Sequence, residues 1–119
     1  MRVMIIGAST NRQKYGNKAV RAFARQGHEV LPVNPRADMI EGVRCYHQIA
    51  EVPGPIDRAS LYLPPELGIV AVRELAARAD VAELWINPGA ESPELLEEAR
   101  RLSLDPIQAC SIVAIGEHP

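Results

Sequence analysis

The chain has 119 residues and a mass of 13.0 kDa, the size of one domain and not two. Its 13 Lys and Arg against 15 Asp and Glu give a net charge of −2, which excludes the global basic field of a nucleic-acid binder. A hydrophobic share of 47% excludes disorder, and no apolar run approaches the roughly 18 residues of a membrane span.

The first apolar run, Arg2 to Ile6, is β-branched and ends at Gly7. Such a run predicts a strand buried on both faces, the kind a parallel sheet uses. Val3 to Ala8 lacks the basic flank and the length of a signal peptide. After a loop from Gly7 to Tyr15, the spacing of Ala19, Val20, Phe23 and Ala24 predicts a helix over Gly16 to Gln26, stopped by Gly27. His28 to Val33 reads as a second strand closed by Asn34-Pro35, and Val43 to Tyr46 as a short third one. Ala59 to Leu63 is a buried strand closed by Pro64-Pro65. The helix that follows, Glu66 to Ala79, carries Leu67, Val70, Ala71, Glu74 and Leu75 on one face. Ala82 to Ile86 is the next strand, and Ser92 caps a helix with Pro93 in its first turn. Pro106 to Ile112 is expected to be the last strand.

Strands alternating with helices imply an α/β fold with a doubly wound parallel sheet, Rossmann-like, in three αβα layers. Residues 1–119 are expected to form one such domain, with strand order 3-2-1-4-5-6 and the Val43 strand at one edge. Two cysteines, Cys45 and Cys110, are too few for a disulfide framework, so a cytoplasmic location is expected. Aromatic residues at 4% offer no stacking platform for single-stranded nucleic acid.

In this class a ligand lies beyond the carboxyl ends of the strands, where the strand order reverses. Those ends are Gly7-Ala8-Ser9, Asn34-Pro35-Arg36, Leu63-Pro64-Pro65 and Asn87-Pro88-Gly89. Three of the four contain proline, which makes preset loops suited to binding. In the first loop Gly7 permits a tight turn and Ser9 and Thr10 carry hydroxyls. Gly16 opens a helix whose free N–H groups attract phosphate, and Arg12 and Lys14 add charge. The loop is neither a G-x-G-x-x-G fingerprint nor a P-loop. After the second strand stands Asn34, where an NAD site carries an acid. Arg36 behind it suits a ligand with an extra ribose phosphate, as in NADP and coenzyme A.

Gly7-Ala8-Ser9, Lys14-Tyr15-Gly16-Asn17-Lys18-Ala19, Pro32-Val33-Asn34-Pro35, Ile40-Glu41-Gly42, Leu63-Pro64-Pro65, Trp85 to Ser92 and Cys110-Ser111-Ile112-Val113 together resemble the small bacterial and archaeal CoA-binding domain proteins. The resemblance spans essentially the whole chain. Asn87 departs from it, since the family more often has Gln there. These proteins are similar to the nucleotide-binding half of the succinyl-CoA synthetase α subunit, which implies a Rossmann-type domain holding coenzyme A or an acyl-CoA across the strand ends. By that resemblance Ser9, Thr10, Asn11 and Arg12 contact the CoA phosphates. Val33, Asn34, Pro35 and Arg36 border the adenosine, with Arg36 on its 3′-phosphate. Leu63 and Pro64 line the middle, and Asn87, Pro88 and Gly89 approach the pantetheine arm. Gly7→Val is expected to block binding while sparing most of the fold, on the view that Gly7 presents backbone to the ligand.

No pair of acids, no triad and no nucleophile elbow is present. Cys110 reads as a small buried hydrophobe or as a thiol facing that of CoA, and Cys45 as structural. His28 is expected to be solvated, His118 lies in the tail, and Cys45 with His47 falls short of a metal site. Glu91 reads as a loop cap. The expected function is therefore a non-catalytic carrier, sensor or regulatory module for CoA or acyl-CoA. The alternatives are an NADP- or NAD-binding redox module and an acyl-CoA enzyme subunit completed by a partner chain. Neither nucleic acid nor membrane is expected as a partner, and self-association is open.

Overall fold

The computed structural model describes residues 1–119. In chain order the elements are β1 (Arg2–Ile6), α1 (Tyr15–Arg25), β2 (Glu29–Val33), β3 (Met39–Ile40), β4 (Val43–Arg44), a 3-10 turn (Ile49–Glu51), β5 (Ile56–Leu61), α2 (Pro65–Arg78), β6 (Val81–Ile86), α3 (Pro93–Arg101), β7 (Ile107–Gln108) and α4 (Ser111–Ala114). Five strands form one parallel sheet in the order β2-β1-β5-β6-β7. The chain winds outward one way from β1 to β2 and the other way from β5 to β7. The order therefore reverses between β1 and β5, as the Rossmann-like α/β reading requires.

Alternation along each strand builds two cores. Met4 and Ile6 of β1 join Leu61, Leu84 and Ile86 under α2 and α3, where Ala71, Leu75, Leu95 and Ala99 close the layer. Val3 and Ile5 face the other way, onto Ala19, Val20 and Phe23 of α1 and Ile112 of α4. Two-sided burial explains why β1 reads as a continuous apolar run. Ser92 caps α3 by accepting from the Leu95 N–H at 3.1 Å, and Pro65 and Pro93 stand in the first turns of their helices.

Three expectations are corrected. Val43 to Tyr46 is not a sheet strand. Val43–Arg44 pairs antiparallel with Met39–Ile40 across a turn in which Glu41 and Gly42 have φ of 51° and 77°. Only Tyr46 reaches the sheet, bridging Val33 and donating its N–H to the Pro32 carbonyl at 2.9 Å. Because the Pro32 carbonyl faces outward, its missing N–H lies on the same outer side, and a continuous ladder cannot extend there. The last strand shrinks to Ile107–Gln108, and Ser111–Ala114 is a helical turn instead. The Asn87 Oδ1 accepts from the Ser111 N–H at 2.9 Å and ends the extended run. On α2 the buried face is Gly68, Ala71, Val72 and Leu75, whereas Leu67 and Val70 are exposed at the rim.

Candidate functional site

The rim where the strand order reverses is built around two interlocked glycines. Gly7 has φ of +89°, and a Cβ there would lie 2.8 Å from the Tyr62 carbonyl oxygen. A Cβ on Gly16 would lie 2.1 Å from the Gly7 carbonyl oxygen. The start of α1 thus rests directly on the end of β1, which rests on the chain leaving β5. This corrects the expectation for Gly7→Val: the added side chain meets the backbone of the neighbouring strand, so the fold itself is hit.

Between the glycines the loop holds its own shape. Ser9 Oγ accepts from the Asn11 N–H at 3.0 Å, and Asn11 Oδ1 accepts from the Gln13 N–H at 3.0 Å. Buried Asn17 donates to the Ser9 carbonyl at 2.9 Å and to Glu41 at 3.1 Å, while Arg21 donates to the Asn17 Oδ1 and to the Arg12 carbonyl. Arg12 pairs with Glu41 at 3.1 Å. The side chains of Ser9, Asn11 and Arg12 are therefore engaged within the chain, and Ala8 is buried. Thr10 is exposed. The N–H groups of Tyr15 and Gly16, the first two of α1, have no acceptor in the chain, as at any helix start, and Lys14 stands beside them.

At the end of β2, Asn34 donates to the Ala8 carbonyl at 2.8 Å and accepts from the Arg36 and Ala37 N–H groups. It ties two rim loops together, leaving Pro35 and Arg36 exposed. Asn87 plays a similar part below the fifth and sixth strands. It is 3% exposed and donates to Ser60 Oγ and the Leu61 carbonyl, and its Oδ1 takes the Ser111 N–H. The Ser60 and Ser111 hydroxyls share a bond of 2.7 Å. With its amide spent inward, Asn87 leaves the approach to the rim to Pro88, Gly89 and Ala90. Asn87→Ala is expected to cost about 2–4 kcal/mol, because buried donors and acceptors lose their partners. Urea denaturation measures this, and a loss below about 1 kcal/mol would show that the knot does not hold the last helix.

Two clefts flank Leu63. One, of about 580 Å³, runs from Gln13, Lys14, Tyr15 and Gly16 across Tyr62, Leu63, Pro64 and Pro65 to Pro88, Gly89 and Ala90. The other, of about 540 Å³, lies over Gly7, Val33, Asn34 and Pro35 and is walled by the His47 to Ala50 segment and by Leu67, Val70 and Glu74. Of the residues expected at the site, Lys14, Gly16, Leu63, Pro64, Pro88 and Gly89 meet at the first cleft, and Gly7, Val33, Asn34, Pro35 and Leu63 at the second. The loop residues 8–12, Arg36 and Asn87 lie outside both linings. Tyr62 and the walls from residues 47–50 and α2 were not foreseen from sequence. Leu67 and Val70 read from their spacing as core positions, and Tyr62 as part of a strand.

Burial pushes the Tyr62 phenol up to about 12, the nearby Ser60 and Ser111 hydroxyls offsetting this only in part. The Tyr62 side chain lies between the first cleft and the Ser60 and Ser111 hydroxyls. Burial likewise raises the Cys45 thiol, whose side chain packs into the core under α1. His28 is partly exposed, bonds the chain's amino group at 3.0 Å and tilts against Phe23. Glu91 caps its loop by accepting from the Gly89 N–H at 2.9 Å. No group of three His, Cys, Asp or Glu side chains is placed to hold a metal ion.

Residues 1–116 match the sequence pattern of the CoA binding domain. The chain is 36% identical over 89 residues to the trans-feruloyl-CoA synthase FCS1 of an unknown prokaryotic organism, covering 73% of this chain but only 13% of that protein. It is 27% identical over 108 residues to the uncharacterized protein YneT of Bacillus subtilis, covering 87% of this chain and 79% of that one. Among solved structures, a conserved hypothetical protein from Pyrococcus furiosus superposes with a TM-score of 0.87 at 36% identity, over 95% of this chain and 97% of that chain.

Proposed function

The chain belongs to the CoA binding domain family, and from that premise we propose that it binds coenzyme A or an acyl-CoA along the strand-end rim, as a stand-alone, non-catalytic carrier, sensor or regulatory module of the cytoplasm. The observation that carries this reading is the pair of clefts meeting at Leu63, with the start of α1 between strand ends that are tied together from below. The adenosine lies in the apolar cleft over Val33, Asn34 and Pro35, with Arg36 at its 3′-phosphate. The diphosphate faces Lys14 and the free N–H groups of Tyr15 and Gly16, where the helix dipole adds to the lysine charge. The pantetheine arm runs between Leu63-Pro64 and Pro88-Gly89. Because the Ser9, Asn11 and Arg12 side chains already have partners, the first loop works through its backbone shape more than through those groups. No helix is long and apolar enough to cross a membrane.

The test is thermal melting of the purified protein with CoA, 3′-dephospho-CoA, NADP and NAD in parallel. A hundredfold excess over Kd adds about 2.7 kcal/mol, or about 10 °C in Tm for a chain of this size. A shift with CoA that shrinks without the 3′-phosphate supports the reading. A shift with NADP or NAD alone overturns it in favour of a redox module. The small share of the FCS1 synthase that this chain matches supports a second reading, a CoA-holding subunit completed by a partner chain. Copurification of one stoichiometric partner is its test.

A further inference from the structure

Beyond the first cleft, at the ends of β5, β6 and β7, lies a smaller chamber of about 170 Å³ walled by Tyr15, Tyr62, Asn87, Pro88, Cys110 and Pro119. It shares Tyr15, Tyr62 and Pro88 with that cleft, so the two adjoin. The three spaces thus follow the sheet order. The apolar cleft sits over β2 and β1, the first cleft over β5 and β6, and the chamber reaches β7. On the CoA reading above, the pantetheine arm runs along the rim toward Tyr15, Tyr62 and Pro88, and the chamber is the next space in that direction.

The chamber's walls suit carbon more than charge. Two aromatic rings, two prolines and the half-buried Cys110 side chain face it. The Asn87 amide is already satisfied by Ser60, Leu61 and Ser111. No Asp, Glu, Lys or Arg side chain lines it. Its volume corresponds to on the order of five water-sized groups, which fits an acyl group of two to four carbons and not a long fatty chain.

We propose that this chamber receives the acyl group of a short-chain acyl-CoA, so that the thioester and not free CoA is the preferred ligand. The inference rests on the CoA reading above and adds the ligand's acyl end to it. Calorimetric titration of the full chain with CoA, acetyl-, propionyl-, butyryl-, octanoyl- and palmitoyl-CoA tests it. Each methylene that enters the chamber should tighten binding about fourfold. Butyryl-CoA is then expected to bind at least about tenfold tighter than CoA, with the gain stopping or reversing by octanoyl. Cys110→Leu adds bulk to the wall and should bring the butyryl-to-CoA ratio close to one. Cys110→Ala removes atoms and should move the optimum to a longer chain, which keeps the test alive if the leucine variant does not fold. Equal affinity for CoA, acetyl-CoA and butyryl-CoA overturns this inference alone. So does affinity that keeps rising to palmitoyl, or a ratio that neither Cys110 variant changes. Absence of binding by every one of these ligands overturns the CoA reading with it.

Discussion

Gly16→Ala is expected to cost about 3 kcal/mol of stability or more and to remove the CoA-induced rise in Tm. The reason is a chain of contacts with no slack. The added Cβ would lie 2.1 Å from the Gly7 carbonyl oxygen, 3.0 Å from its carbon and 3.2 Å from the Ala8 Cα, all of them backbone. Gly7 has little room to retreat, because a Cβ built on it would lie 2.8 Å from the Tyr62 carbonyl oxygen, and its φ of +89° disfavours any side chain. Relief requires moving the start of α1 off the end of β1. That move opens the helix end proposed to hold the diphosphate, so stability and binding are lost together. Gly27→Ala is the control. Gly27 also has positive φ, +81°, but nothing lies within 4 Å of a Cβ placed there, so only the strain of about 1 kcal/mol remains. Urea denaturation of the two variants should separate them by about 2 kcal/mol. Similar losses for both would mean that the loop yields and that the glycine contact is not what fixes the rim.

The parts of this fold that could be read from sequence are those whose residues answer to one local rule. The strand β1 is an apolar run cut off by Gly7, β5 and β6 each end in an apolar stretch ahead of a Pro, and α3 announces itself with Ser92 and Pro93. The short elements were misread because partners distant in sequence decide them. Val43 and Arg44 leave the sheet because Pro32 spoils its edge, and the last strand stops early because Asn87 seizes the Ser111 N–H. The same limit governs the site. Asn34 and Asn87 at strand ends read as ligand contacts; in the structure their amides also join rim loops to one another, something only the packing of neighbouring strands reveals. Leu67 and Val70 have helical spacing and read as core. Spacing says that a helix face is apolar, not whether a sheet or a cleft lies against it. Tyr62 was hidden inside a strand reading, and its place between cleft and chamber follows from how the chain leaves β5.

Arg36→Ala should weaken CoA by about tenfold to a hundredfold while changing the affinity for 3′-dephospho-CoA by less than about twofold. The magnitude is that of a charge-assisted bond to a phosphate, about 1.5–3 kcal/mol. The structure makes Arg36 a clean place to look. Its side chain is exposed and forms no hydrogen bond within the chain, so removing it leaves no partner stranded. Its backbone is held independently, through the N–H donated to the Asn34 Oδ1 at 2.8 Å, and that anchor survives the substitution. Arg12, the other arginine on this rim, is less informative, because Glu41 already engages it at 3.1 Å. Arg36→Lys separates charge from shape: an ammonium keeps the attraction but loses the two-pronged donor, so an intermediate Kd is expected. Raising the salt concentration should erode the CoA advantage over the dephospho form in the native chain and leave the alanine variant nearly indifferent. Equal losses for the two ligands would take Arg36 out of the 3′-phosphate role and move the adenosine end of the track away from the end of β2.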